Sequence, residues 1–286
     1  MADIVDTTPA FEAFARKAFL ESPVIREQLW IEHYEGAHPD VFRAFYDGHG
    51  TSEGRDKLLR DLASVRKRVR EASPAQHRLI EEVEPLVRDA LDRPAEPAPR
   101  HVMLVGSLST DADVGRLDGE VTLFHCLEWF HSEEGMRILV AHEDTHAWHE
   151  IVLGTVPPED DAAWMAFYEG VAIHAARAVV PGRPEDDYFW YGHSGFADWL
   201  PWCKEHADEL VRRFAAELSS PESGPEAVPG GAVERWFGAG LVEGRWRTGY
   251  FVADLLVARL ERPLPELVTL SVDDARTALL DLLAKG

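Results

Sequence analysis

The stretch SEEGMRILVAHEDTHAWHEIVLG, Ser132 to Gly154, decides how this chain is read. Ser132 can cap a helix, Glu133 and Glu134 suit the positive end of its dipole, and Gly154 can end it. The pattern predicts one helix across the whole segment. Inside it stands His142-Glu143-Asp144-Thr145-His146, an H-E-x-x-H arrangement. Residues four apart on a helix share a face about 6 Å apart, so two imidazoles can converge on one metal ion. Glu143 lies beside the first ligand, where its carboxylate reaches a water on the ion rather than the ion itself. Zinc lowers the pKa of such a water towards neutrality, and the Glu takes its proton as the oxygen attacks a carbonyl.

A third ligand is needed, and three residues compete. His149 shares the face but stands about 10 Å along the axis from His142, too far for both to hold one ion. It reads as a rim residue or an ordinary helix-face histidine. His174 lies five residues beyond Glu169, which turns it to a different face of the next helix. Glu169 is the best candidate. Its neighbours Ala162, Ala166, Ala172 and Ala176 are small, so this helix can approach the histidine helix closely. A carboxylate buried between packed helices needs a partner such as a metal.

Working outward, two strands are expected on the N-terminal side of the motif, at His101–Val105 and at Glu120–Phe124, the second introduced by Asp118-Gly119. Helices are expected at Phe11–Leu20, Val24–Tyr34, Arg55–Glu71 and Ala75–Leu91, with Leu79, Val83, Leu86 and Ala90 on one face of the last. Beyond the motif, helices are expected from Pro158–Asp161 to Pro181, over Gly195–Leu218, Thr248–Leu260 and Val272–Ala284. Arg93–Arg100 holds three prolines and reads as a linker. Ser219–Ala232 reads as a surface excursion rich in Pro, Gly and Ser. The basic run Arg66–Arg70 spreads around a helix and reads as a solvated face.

The chain has 286 residues, a net charge of -22 from 51 acidic and 29 basic side chains, and 13 His. A surface so acidic repels phosphate backbones and anionic lipid, so nucleic acid and membrane are poor partners. Cys126 and Cys203 form no Cys-x-x-Cys pair and read as buried small hydrophobes. Met1–Pro9 lacks a basic region and precedes no apolar run, so no signal peptide is expected and a cytoplasmic protein is.

Four segments carry a resemblance: Met103–Gly106, Ala141–His146, Tyr168-Glu-Gly-Val-Ala172 and Arg247-Thr-Gly-Tyr-Phe251. H-E-x-x-H followed by a helical Glu-Gly-x-Ala resembles the gluzincin pattern of thermolysin-like and aminopeptidase-like zinc peptidases. Residues 100–286 resemble more closely a bacterial family of predicted zinc-dependent proteases. The resemblance implies one zinc ion per chain held by His142, His146 and Glu169, with Glu143 as general base and then general acid. It implies a Tyr or His that stabilises the oxyanion. Tyr250 is the candidate, with core packing of its ring as the alternative. Arg247 would bind a substrate carboxylate or be an ordinary surface arginine. In such enzymes an edge strand before the zinc helix pairs with extended substrate, and Glu120–Phe124 is placed for it. Two features depart from the pattern. No Gly-x-Met-Glu-Asn strand is present, and Tyr168 stands where thermolysin-like enzymes often carry Asn.

The expected fold is α+β and predominantly helical, a zincin-like core with a small sheet beside the H-E-x-x-H helix. A helical N-terminal region, 1–93, would precede a metallopeptidase domain, 100–286. The expected function is a zinc-dependent peptidase acting on peptides or proteins. The alternatives are a metal-stabilised or degenerate binding protein, and a zinc hydrolase of a small amide or ester. The aromatic run Tyr188–Gly195 reads as packing rather than a cleft lining.

Overall fold

The computed structural model describes residues 2–48, 50–219 and 231–284. It is α+β and predominantly helical, as expected. Most of the expected Ser219–Ala232 excursion lies outside the described residues. The chain divides into two compact units, residues 1–86 with 94–151, and residues 87–93 with 152–286.

The first unit begins with β1 (Asp3–Asp6), α1 (Thr8–Ala18), α2 (Pro23–His33), α3 (Pro39–Asp47), α4 (Arg55–Arg60) and α5 (Leu62–Ala90). It continues through β2 (Arg100–Leu104), β3 (Ala112–Leu117), β4 (Glu120–Cys126) and α6 (Glu133–Leu153). The strands form one mixed sheet in the order β1-β2-β4-β3. The β1–β2 and β2–β4 pairs are parallel, and β3–β4 is antiparallel. Strand β2 is buried without a break from His101 to Leu104, which suits a strand flanked on both sides and covered on both faces. Asp118 and Gly119 both have positive φ and close the β3–β4 hairpin by the two-residue turn that matches strand twist.

Two expectations change here. Strand β4 is not an edge: β2 and β3 flank it, because β3 folds back across the Asp-Gly turn. Gly115 helps β3 to do so, since a Cβ there would stand 3.3 Å from the Phe124 ring. The helices expected at Arg55–Glu71 and Ala75–Leu91 are instead a short α4 and one long α5 that runs through Pro74 and Pro85. A proline removes one backbone bond of a helix. Burial holds α5 together across it: Val65, Val69, Ala72, Leu79, Ile80, Val83 and Val87 continue one inward stripe on both sides of Pro74. Val87 takes the place expected of Leu86, which is 48% exposed.

The N-terminal helices share a core with the strands. Phe11, Phe14, Trp30, Tyr34 and Phe42 meet largely edge to face. This cluster is continuous with Val102–Val105, Phe124 and Cys126. Tyr34 fastens the two together, its hydroxyl accepting the Val105 amide at 2.6 Å. The basic run is less idle than expected. Arg66 and Arg70 pair with Glu12, and Arg68 donates to the Glu128 carbonyl.

The second unit holds α7 (Ala162–Val179), α8 (Asp187–Trp190), α9 (Trp199–Glu205), α10 (Ala207–Ser219), α11 (Gly231–Trp236), the two-residue strands β5 (Leu241–Val242) and β6 (Arg245–Trp246), α12 (Thr248–Arg259), α13 (Leu264–Leu267) and α14 (Val272–Leu283). Asp161 caps α7 by accepting the amides of Ala163 and Trp164. Helices α7 and α12 touch at backbone level. A Cβ on Gly170 would stand 2.5 Å from the Ala253 carbonyl oxygen and 2.5 Å from Val257. The aromatic run packs as expected: Tyr188, Phe189, Trp190 and Tyr191 are buried, with Trp190 stacked on Phe196 at 3.6 Å.

Candidate metal centre

Helix α6 carries the motif as the sequence predicts. Ser132 caps it by accepting the Gly135 amide at 3.1 Å, and Gly154 follows it with φ +68°. The helix is buried on nearly every side from Gly135 to Glu150. That is unusual for a segment so rich in ionisable side chains, since buried polar groups cost free energy unless paired.

His142 and His146 are both buried, with ring centroids 4.7 Å apart and planes at 87°. Their Nε2 atoms lie 3.1 Å apart. Two bare nitrogen lone pairs do not face each other at that distance. Either one ring donates its proton to the other, or a cation takes both lone pairs. Nitrogens bonded to one tetrahedral zinc at about 2.0–2.1 Å stand about 3.3 Å from each other, so the pair suits such an ion. His142 and His146 stand on α6 in the first unit and Glu169 on α7 in the second, and all three side chains are buried. This two-imidazole, one-carboxylate set fits zinc chemistry in charge and donor type.

Glu143 is half-buried on α6. Its charge is felt at the Cys126 thiol, which burial first, and then Glu128, Asp111, Asp113 and Glu143, push well above its ordinary pKa. His149 is fully buried, and burial followed by the nearby His146 pushes its pKa down to about 3.

The other sequence candidates fall as follows. His174 hydrogen-bonds Asp254 at 3.1 Å, and Arg177 grips the same carboxylate through both its terminal nitrogens. Burial pushes the Asp254 carboxyl up, but these two partners outweigh it and hold the pKa below the usual range. Tyr250, in the first turn of α12, packs edge-on against Phe237 at 5.9 Å. The Arg247 guanidinium lies 4.0 Å from the Tyr250 ring centroid and also faces Tyr191, Trp190 and Trp246. Arg247 is thus a half-buried cation among aromatic rings rather than an ordinary surface arginine. His125 is buried, with its ring nearly parallel to that of His101 and 5.4 Å from it between centroids.

One residue in the motif escaped the sequence reading. Asp144 occupies a variable position of H-E-x-x-H and is fully buried, with its pKa raised well above normal, chiefly by burial. The position about 200° around the helix from His142 was its only signal. No protein family, curated protein or solved structure matches the chain. Among the described residues, no helix is long and apolar enough to cross a membrane.

Proposed function

We propose that this chain is a zinc-dependent peptidase with one zinc ion, held by His142, His146 and Glu169. The observation that carries the reading is the approach of the His142 and His146 Nε2 atoms to 3.1 Å, with Glu143 adjoining the first of them on the same helix. Zinc, when bound, supplies the Lewis acidity that brings the pKa of a water towards neutrality. The two histidines offer their Nε2 atoms as ligands. Glu143 accepts the proton of the attacking water and passes it to the leaving amine. Tyr250 would hydrogen-bond the oxyanion through its hydroxyl. Strand β4 is paired on both sides, so a substrate that adds a strand would need an edge of the sheet, that of β3 or of β1.

Glu143→Gln tests the reading, because catalysis needs the carboxylate and ligation does not. The variant should keep its zinc and cleave a peptide mixture at least about a hundredfold more slowly than the wild type. Equal cleavage by both would contradict the assigned role. A metal-loaded wild type that cleaves no peptide would favour a metal-stabilised binding protein.

A further inference from the structure

Helix α6 has a second polar face, opposite the histidine pair. Neither carboxyl oxygen of Asp144 is hydrogen-bonded. His101 on β2 aims Nε2 at Asp144 Oδ1 from 3.9 Å, beyond direct hydrogen-bond reach, and this nitrogen also lacks a partner. Trp148, one turn along α6, brings its indole N–H near the same carboxyl without hydrogen-bond geometry. All three side chains are at most 1% exposed.

The proton positions can be read from the far end of a chain of contacts. The Gln76 amide nitrogen lies 3.1 Å from His125 Nδ1. An amide N–H only donates, so His125 Nδ1 accepts and its proton sits on Nε2. His125 Nε2 lies 3.1 Å from His101 Nδ1, so that nitrogen accepts in turn. The His101 proton is therefore on Nε2, aimed at Asp144. Burial keeps both rings neutral, with the His101 pKa at about 4 and that of His125 well below normal.

Two N–H donors and one carboxyl thus converge. A bare cation would meet the two N–H donors, and an anion would meet the carboxyl oxygens. A neutral molecule that both accepts and donates satisfies all three, and a buried water with two to four polar partners is the usual solution. A bent bridge with links of about 2.8–2.9 Å spans a gap of 3.9 Å.

We propose that His101, Asp144 and Trp148 bind one internal water molecule. It closes a hydrogen-bonded chain from Gln76 through His125 and His101 to Asp144, and so ties α6 to strands β2 and β4. The tie fixes the rotation of α6 about its own axis, and with it the direction in which His142 and His146 point. The site does not depend on zinc binding.

A near-atomic-resolution crystal structure of the full chain tests this. One ordered water should lie within hydrogen-bond distance of His101 Nε2 and an Asp144 oxygen. Imidazole nitrogen NMR of the same protein near neutral pH should find His101 and His125 as neutral Nε2–H tautomers. A dry site, an anomalous signal from a metal at that position, or a proton on His101 Nδ1 would each overturn the proposal.

Discussion

The Nε2 atoms of His142 and His146 face each other at 3.1 Å from adjacent turns of α6. Two neutral imidazoles can share one proton at that distance, but the same approach leaves them ready for one cation. Helix geometry alone explains it: positions i and i+4 lie on one face, and burial on that face limits the rotamers open to both rings.

The close contact of α7 with α12 makes Gly170 sensitive to any side chain. An added methyl meets the Ala253 carbonyl, which cannot swing away as a flexible side chain would. Overpacking of this kind typically costs about 1–3 kcal/mol. Gly170→Ala should lower unfolding free energy by about 2 kcal/mol in a denaturant titration; an unchanged midpoint would mean that the helices yield at that point.

Two buried groups give opposing pH dependence. His101 has a folded pKa of about 4, below its ordinary 6.5, so the folded protein binds fewer protons than the unfolded chain in between. Its contribution is complete above pH 6.5 and is lost as pH falls towards 4, amounting to about 3 kcal/mol. Glu128 behaves in the opposite sense. Burial lifts its carboxyl to about 7 from 4.5, although the Leu108 and Gly106 amides donate to it. Its burial cost is full above pH 7 and is relieved as pH falls towards 4.5, which offsets part of the His101 loss. Glu128→Gln removes that offset. Urea midpoints at pH 6.5 and 4.5 should therefore drop further for the variant than for the wild type; parallel losses would refute the opposition.

Tyr250→Phe keeps the ring that packs on Phe237 and under Arg247, and removes only the hydroxyl. If that hydroxyl donates to an oxyanion, kcat should fall about a hundredfold or more with KM nearly unchanged. Unchanged kcat would assign Tyr250 to packing alone.

Much of the fold was legible because its signals are local. Ser132 and Gly154 bracket α6, Asp161 opens α7, and the apolar run at His101–Val105 marks β2. What escaped depends on partners distant in sequence. Strand β1 is four residues long and polar at both ends; it exists because Asp3–Asp6 pairs with Arg100–Met103. Strand β3 contains Gly115, which weakens a strand pattern but fits beneath Phe124. The expected helices stop and restart around Pro74, yet burial of the stripe from Leu62 to Val87 carries α5 through it. At the site, the spacing of His142, Glu143 and His146 was plain, because it is a property of one helix. The burial of Asp144 was not, because a single sequence does not say which residue meets His101 from the sheet.

The metal content of the purified chain tests the central claim most directly. After dialysis against zinc and removal of excess, the wild type should hold one zinc ion per chain, His142→Ala should hold none, and Glu169→Ala should bind it far more weakly. A wild type that holds no zinc after that treatment would contradict the account, and full affinity in Glu169→Ala would contradict the assigned third ligand.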